Sequence, residues 1–179
     1  MLDRTFLNRL AFRLRRQLEK YQKDDPSPTR VRPVPLTLLL HVHKRAFQRS
    51  PIQQHIADLA LLAFFFLLRP GEYCKAGSDN QSTPFRIRDV TFFIGPRRYN
   101  ASTAPDAILD TADFVALTFN YQKNGIKGEA IGHGVTGHPV ADPVRIAARL
   151  VRRLHQQGAD ADTPLAAVRA SNTTLPCLT

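Results

Sequence analysis

A run of ten apolar residues, LALLAFFFLL at positions 59–68, ends abruptly in Arg69, Pro70, Gly71 and Glu72. A bilayer span needs roughly 20 apolar residues. The run therefore reads as a helix buried on most of its sides, with a start near Pro51. A residue before proline is driven out of helical geometry, so this helix is expected to end at about Arg69. That places a guanidinium at the rim of a hydrophobic core. An arginine held there can grip a phosphate or carboxylate with two parallel hydrogen bonds. It can equally answer the negative end of the helix dipole.

The rest of the chain divides around this helix. Residues 2–22 form an amphipathic pattern: Phe6, Leu7, Leu10, Leu14 and Leu18 recur at helical spacing. Arg9, Arg13, Arg16 and Lys20 make a basic stripe beside them. Residues 24–35 hold four prolines together with Arg30 and Arg32, which suits a linker or extended arm and not a helix. Residues 1–35 are thus a basic helix and Pro-rich linker, and residues 36–179 the main domain. A second helix is expected over 36–48, with a break at 49–51.

After a polar loop at 77–83, residues 85–94 alternate as a strand. Phe85, Ile87 and Asp89 fall on one face, and Arg86, Arg88 and Val90 on the other. Residues 95–106 read as a loop, and 108–112 are ambiguous. Residues 114–121 alternate as a half-buried strand. Asn124-Gly125 is a strong two-residue hairpin signal, with 126–133 as the returning strand. Asp142 as N-cap and Pro143 in the first turn start a helix that runs to about Gln157 and stops near Gly158. Residues 159–164 read as a loop, and 165–179 carry no strong pattern.

Charge bounds the partner. The 179 residues carry a formal net charge of +10. Residues 1–50 hold 12 Lys/Arg against 4 Asp/Glu, and residues 51–179 hold 13 against 11. The excess sits in the first two helical segments and favours an anionic partner. Nucleic acid leads; an acidic membrane surface is the alternative. Cys74 and Cys177 are too few and too distant for a disulfide framework or zinc site. They read as free thiols in a reducing compartment. No apolar h-region of a secretory signal is visible. His41, His43, His133 and His138 show no zinc-ligand spacing with Asp, Glu or Cys, so no metal site is assigned. They read as surface or internally satisfied histidines.

Four ordered segments carry a resemblance. FFFLLRPGEY resembles the first arginine box of the tyrosine recombinase (phage integrase-like) superfamily, and is most similar to recombinases of Crypton- and DIRS-type mobile elements. FRIRDVTFF at 85–93 resembles the segment that follows. LTFNYQKNGIKGEAIGHG at 117–134 resembles the hairpin that carries the catalytic lysine. HPVADPVRIAARLVRRL at 138–154 resembles the helix after it, with Asp142-Pro143 where the family often has Cys-Pro. The resemblance implies an α+β fold, mainly helical, with a small antiparallel sheet of about three strands.

It also implies a chemistry. In the family a tyrosine attacks the scissile phosphate of duplex DNA, with copies assembling on the DNA. Charge grows on the phosphoryl oxygens, so fixed cations must be aimed there. The 5′ leaving oxygen needs a proton. The resemblance gives Arg69 part of the first task and Lys123 the second, with Lys127 as the fallback and Glu72 supporting the arginine. Arg9, Arg13, Arg16, Lys20, Arg30 and Arg32 are the candidate DNA contacts. No small-molecule cofactor, metal or membrane enters, and the expected location is nuclear or cytoplasmic.

The pattern is incomplete. No His-x-x-Arg, the family's second box, occurs in the 179 residues. The four tyrosines are Tyr21, Tyr73, Tyr99 and Tyr121, none beyond the hairpin. The chain is therefore expected to be the front half to two-thirds of a catalytic domain and inactive by itself. The alternative is a basic helical module without chemistry, binding nucleic acid or an acidic membrane surface.

Overall fold

The computed structural model describes residues 33–73, 84–120, 128–170 and 173–174. Outside these lie the expected helix at 2–22, Arg30 and Arg32 in the arm, both cysteines, and the hairpin tip at 121–127. The compact unit considered below begins at Val34.

Two helices open it, α1 (Leu36–Phe47) and α2 (Pro51–Phe65). The break between them is chemical. Ser50 caps α2 by accepting a hydrogen bond from the Gln53 backbone N–H at 3.3 Å, and the Gln53 side chain answers the Ser50 N–H. Pro51 fills the first helical position, where a missing N–H costs nothing.

The end of α2 departs from expectation. The helix stops at Phe65, four residues before Arg69. Leu67 takes a left-handed conformation with φ of 50°, and its N–H and that of Leu68 turn back onto the carbonyls of Phe64 and Ala63. This is a Schellman closure, in which glycine usually holds the left-handed position. Pro70 therefore does not end the helix; the left-handed turn has already done so. Leucine in that conformation costs roughly 1–2 kcal/mol, and Leu67 is 85% exposed, so little packing offsets the strain. Leu67→Gly is expected to raise stability by about 1 kcal/mol in urea unfolding. An unchanged midpoint would mean that the leucine side chain makes a contact equal to its strain.

A four-stranded antiparallel sheet follows, in the order β2-β1-β3-β4. The strands are β1 (Val90–Ile94), β2 (Arg97–Asn100), β3 (Phe114–Phe119) and β4 (Glu129–Gly134). One strand more is present than the sequence suggested. RRYN has no apolar alternation and pairs as an edge, Phe92 opposite Tyr99 and Ile94 opposite Arg97, across a turn at Gly95. The stretch 85–94 is also less regular than a strand. Asp89 reaches back to the Arg86 N–H at 2.8 Å and closes a 3₁₀ turn over Ile87–Asp89. Ile87 and Val90 are consequently both fully buried, which strict alternation does not allow.

A short helix, α4 (Asp106–Thr111), resolves the ambiguous segment, and α5 (Pro143–Gln156) closes the core. Asp142 caps α5 through the Arg145 N–H at 3.0 Å, and Gly158 ends it with φ of 68°. Between Asn100 and α4, and between β4 and α5, the chain runs as loops. Arg169–Ala170 and Thr173–Thr174 pair as a two-residue ladder late in the chain. A remaining helix, α3 (Pro70–Tyr73), is a single turn described with the site.

The core is one layer of helix against sheet. Phe92, Val90, Val115 and Leu117 meet Val144, Ile146, Leu150 and Leu154 of α5 and Leu61 and Leu62 of α2, all at most 1% exposed. The alternation of β3 holds only in part: Val115, Leu117 and Phe119 are buried and Asn120 is exposed, but Ala116 is buried as well and Thr118 half-buried. No described helix is long and apolar enough to cross a membrane.

Candidate functional site

Arg69 sits immediately before α3, and local chemistry fixes its backbone. Pro70 starts the turn, and Glu72 reaches back to accept the Arg69 N–H at 2.8 Å. The Arg69 carbonyl in turn accepts the Glu72 N–H at 2.8 Å. The Glu72 carbonyl takes the Phe85 N–H at 2.8 Å, tying this turn to the segment that enters the sheet. The carboxylate of Glu72 is nearly buried, and Oε1 lies 3.7 Å from Nη1 of Arg69. The arginine head itself is 64% exposed. Glu72 thus braces the base of Arg69 and leaves most of the guanidinium's donors open to a ligand.

Removing the brace should be felt in stability. Glu72→Ala deletes the acceptor of the part-buried Arg69 N–H. A loss of about 1–2 kcal/mol is expected in chemical unfolding. A variant as stable as the parent would mean that water replaces the carboxylate without cost.

The guanidinium borders a groove of about 320 Å³. One wall is the end of α2, Phe65, Phe66 and the strained Leu67. The other is the β3–β4 hairpin, through Phe119, Ile131 and His133. His133 packs edge-on to Phe66, with ring centroids 4.7 Å apart, and more loosely to Phe65 at 6.2 Å. Its place in this groove was not visible in the sequence, because it depends on which face of the hairpin meets α2.

The hairpin stem is well defined. Phe119 pairs with Glu129, and the Gly128 N–H bonds to the Phe119 carbonyl at 2.8 Å. Asn120 then donates to Asp89 at 2.6 Å and locks the stem to the 3₁₀ turn. Lys123 and Lys127 belong to the segment between Asn120 and Gly128 and lie outside the described residues. So do Arg9, Arg13, Arg16, Lys20, Arg30 and Arg32.

A second charged constellation was not anticipated. Asp58 of α2 is completely buried. Arg149 of α5 meets it with a fork, Nη2 to Oδ1 at 2.6 Å and Nε to Oδ2 at 3.2 Å. Arg153, one turn on, lies 2.7 Å from Oδ2, and Nε2 of His43 on α1 lies 3.1 Å from Oδ1. Burial alone would raise the Asp58 carboxyl, but the hydrogen bonds and charges of Arg149 and Arg153 overcome it and hold the group below its ordinary value. Nearby His55 is pushed down, chiefly by burial, although its bond to the Leu165 carbonyl at 2.8 Å works the other way. Asp58 has no path to a ligand. It joins three helices.

The remaining histidines and acids have local duties. Nδ1 of His138 accepts the N–H groups of Val140 and Ala141 at 3.1 and 2.8 Å, shaping the loop before α5. Arg86 and Arg88 share Asp162. Among the described residues, no three His, Cys, Asp or Glu side chains converge as metal ligands do. The chemistry the groove itself offers is that of one braced arginine and one imidazole against apolar walls. No family model, curated protein or solved structure matches this chain.

Proposed function

We propose that the chain carries the arginine box of a tyrosine recombinase-like domain and binds duplex DNA by its phosphates. One observation supports the reading most. Arg69, braced by buried Glu72, shares a groove with the stem of the very hairpin whose tip carries Lys123. These segments are far apart in sequence, and the packing of α2 on the sheet brings them to one groove. Lys123 is four residues beyond Phe119, a length of chain that can reach about 13 Å. A phosphate in the groove would take two parallel bonds from Arg69 and a point charge from the lysine. The residues of the basic stripe and arm, from Arg9 to Arg32, would supply sequence-independent contacts to the backbone.

Cleavage is a separate matter. A covalent intermediate needs a placed nucleophile as well as cations. The 179 residues hold no His-x-x-Arg and no tyrosine after Tyr121. Tyr99 pairs with Phe92 inside the sheet and is half-buried there, a poor position for attack. The chain by itself is therefore expected to bind duplex without forming an adduct.

Both halves are testable together. In duplex titrations Arg69→Ala should weaken binding to all sequences alike and reduce the salt slope by about 1. An unaltered slope would remove Arg69 from the interface. Denaturing electrophoresis after incubation with supercoiled and suicide-substrate DNA should show no protein–DNA band. A band abolished by Tyr99→Phe or Tyr121→Phe would show that the nucleophile was misjudged.

A further inference from the structure

The surface formed by α1 and α2 away from the Arg69 groove has a different character. Ala46 and Ala57 are buried where the two helices approach, and their small side chains leave a trough of about 330 Å³ between them. Val42 and Ile56 form its apolar walls, 44% and 46% exposed. Leu38, one turn before Val42, and Val34, just ahead of α1, extend the apolar strip at 50% and 52%. Arg45 and Arg49 stand at the other end of the trough.

The charge on this face has one sign. Residues 34–57 contain Lys44, Arg45 and Arg49 and no Asp or Glu. The first acid after them, Asp58, is buried and already committed to α5. Neither Arg45 nor Arg49 forms an ion pair among the described residues. Lys44 and Arg45 lie in the last turn of α1, where cations answer the helix dipole. The dipole does not account for Arg49, which lies past the helix, or for the row of half-exposed aliphatic side chains.

We infer that the α1–α2 trough is a docking site for an acidic amphipathic helix of a partner protein. A helix laid in such a groove would set its apolar face on Val42, Ile56 and Leu38, as helix-in-groove recognition does. Its carboxylates would meet Arg45 and Arg49 at the rim. A nucleic-acid backbone would satisfy the arginines but not the strip from Val34 to Val42, since exposed apolar surface marks protein or membrane contact, and a trough between two helices fits a helix better than a flat bilayer surface. A second copy of this face would bring like charges together, which opposes self-association. The inference is independent of the role of Arg69.

The probe is a fluorescein-labelled synthetic helix of about 20 residues, beyond the length at which isolated helices are marginal, with leucine on one face and glutamate and alanine elsewhere. Anisotropy is read with the full chain. Saturable binding is expected, and a peptide of the same composition with its leucines scrambled should bind about tenfold more weakly. The double variant Arg45→Glu/Arg49→Glu should lose about tenfold or more for the glutamate peptide and gain for its lysine counterpart. Val42→Asp and Ile56→Asp should each weaken both pairs. All these sites are exposed or half-exposed, so unchanged thermal unfolding checks the fold, and the charge-reversal variant stands as a second test if an apolar one is unstable. Equal binding of the scrambled peptide would reduce the site to charge and overturn the proposal. So would loss of duplex affinity in Arg45→Glu/Arg49→Glu without any peptide binding to the parent. A concentration-dependent dimer abolished by Val42→Asp would assign the face to a second copy instead.

Discussion

Asp58→Asn should lower the stability of the protein by about 3–5 kcal/mol, the cost of breaking a buried ion pair by removing one partner. The substitution keeps the volume but deletes the only anion among Arg149, Arg153 and His43. Two guanidinium groups are then left partly desolvated and facing each other. Urea unfolding at neutral pH reads the difference. The pH dependence supplies a second reading. The folded-state value of Asp58 lies below its ordinary 3.8, so its contribution is complete above that value and disappears as pH falls through the lower, folded one. The gap between parent and variant should therefore close in strong acid. A loss under about 1 kcal/mol at neutral pH would mean that water compensates the arginines and that the cluster is not a structural tie.

The second large effect concerns salt. If Arg9, Arg13, Arg16, Lys20, Arg30 and Arg32 each neutralise one phosphate, the slope of log affinity against log salt is about −5. Duplex affinity should then fall by on the order of 10³ between about 50 and 200 mM salt. Non-specific dissociation constants of about 10⁻⁴ to 10⁻⁶ M are expected at physiological ionic strength. Neutralising Arg9, Arg13 and Arg16 together should roughly halve the slope and weaken all sequences equally. Vesicles of anionic lipid are the control. An affinity for them that equals the duplex affinity across the salt series would favour the membrane alternative. Salt-independent duplex binding would refute the phosphate reading outright.

How far these features could be read from the sequence depended on the range of the interaction that set each one. The start of α2 and both ends of α5 were legible, because Ser50-Pro51, Asp142-Pro143 and Gly158 act on their own neighbours. The end of α2 was not. Its closure uses a leucine in a conformation that leucine disfavours, so no residue type announced it. Strand β2 escaped because Arg97 and Arg98 are exposed on an edge strand and show no hydrophobic alternation. The pairing of Glu72 with Arg69 was what the resemblance implied, and the structure joins them. The shared groove with His133 requires the hairpin to be packed on α2, which no local pattern encodes. Asp58 was invisible for the same reason at longer range. A lone acid in an apolar helix gives no sign of partners on α5, although Arg149 and Arg153, four apart, lie on one helical face.

That long range sets an order of events during synthesis. The Asp58 carboxylate is made 91 residues before Arg149. At translation rates of about 5–20 residues per second, it waits for roughly 5–18 s before its first guanidinium even exists. Through that interval α1 and α2 can pair through their alanines, but Asp58 buried between them would have His43 alone and neither arginine. The helical pair is thus an incomplete setting for Asp58, and the apolar residues of α2 stay uncovered until the sheet and α5 arrive. The nascent chain holds its longest hydrophobic run exposed for that time. Released chains truncated before residue 149 should accordingly be strong clients for chaperones that bind apolar segments, and the released 179-residue chain should not.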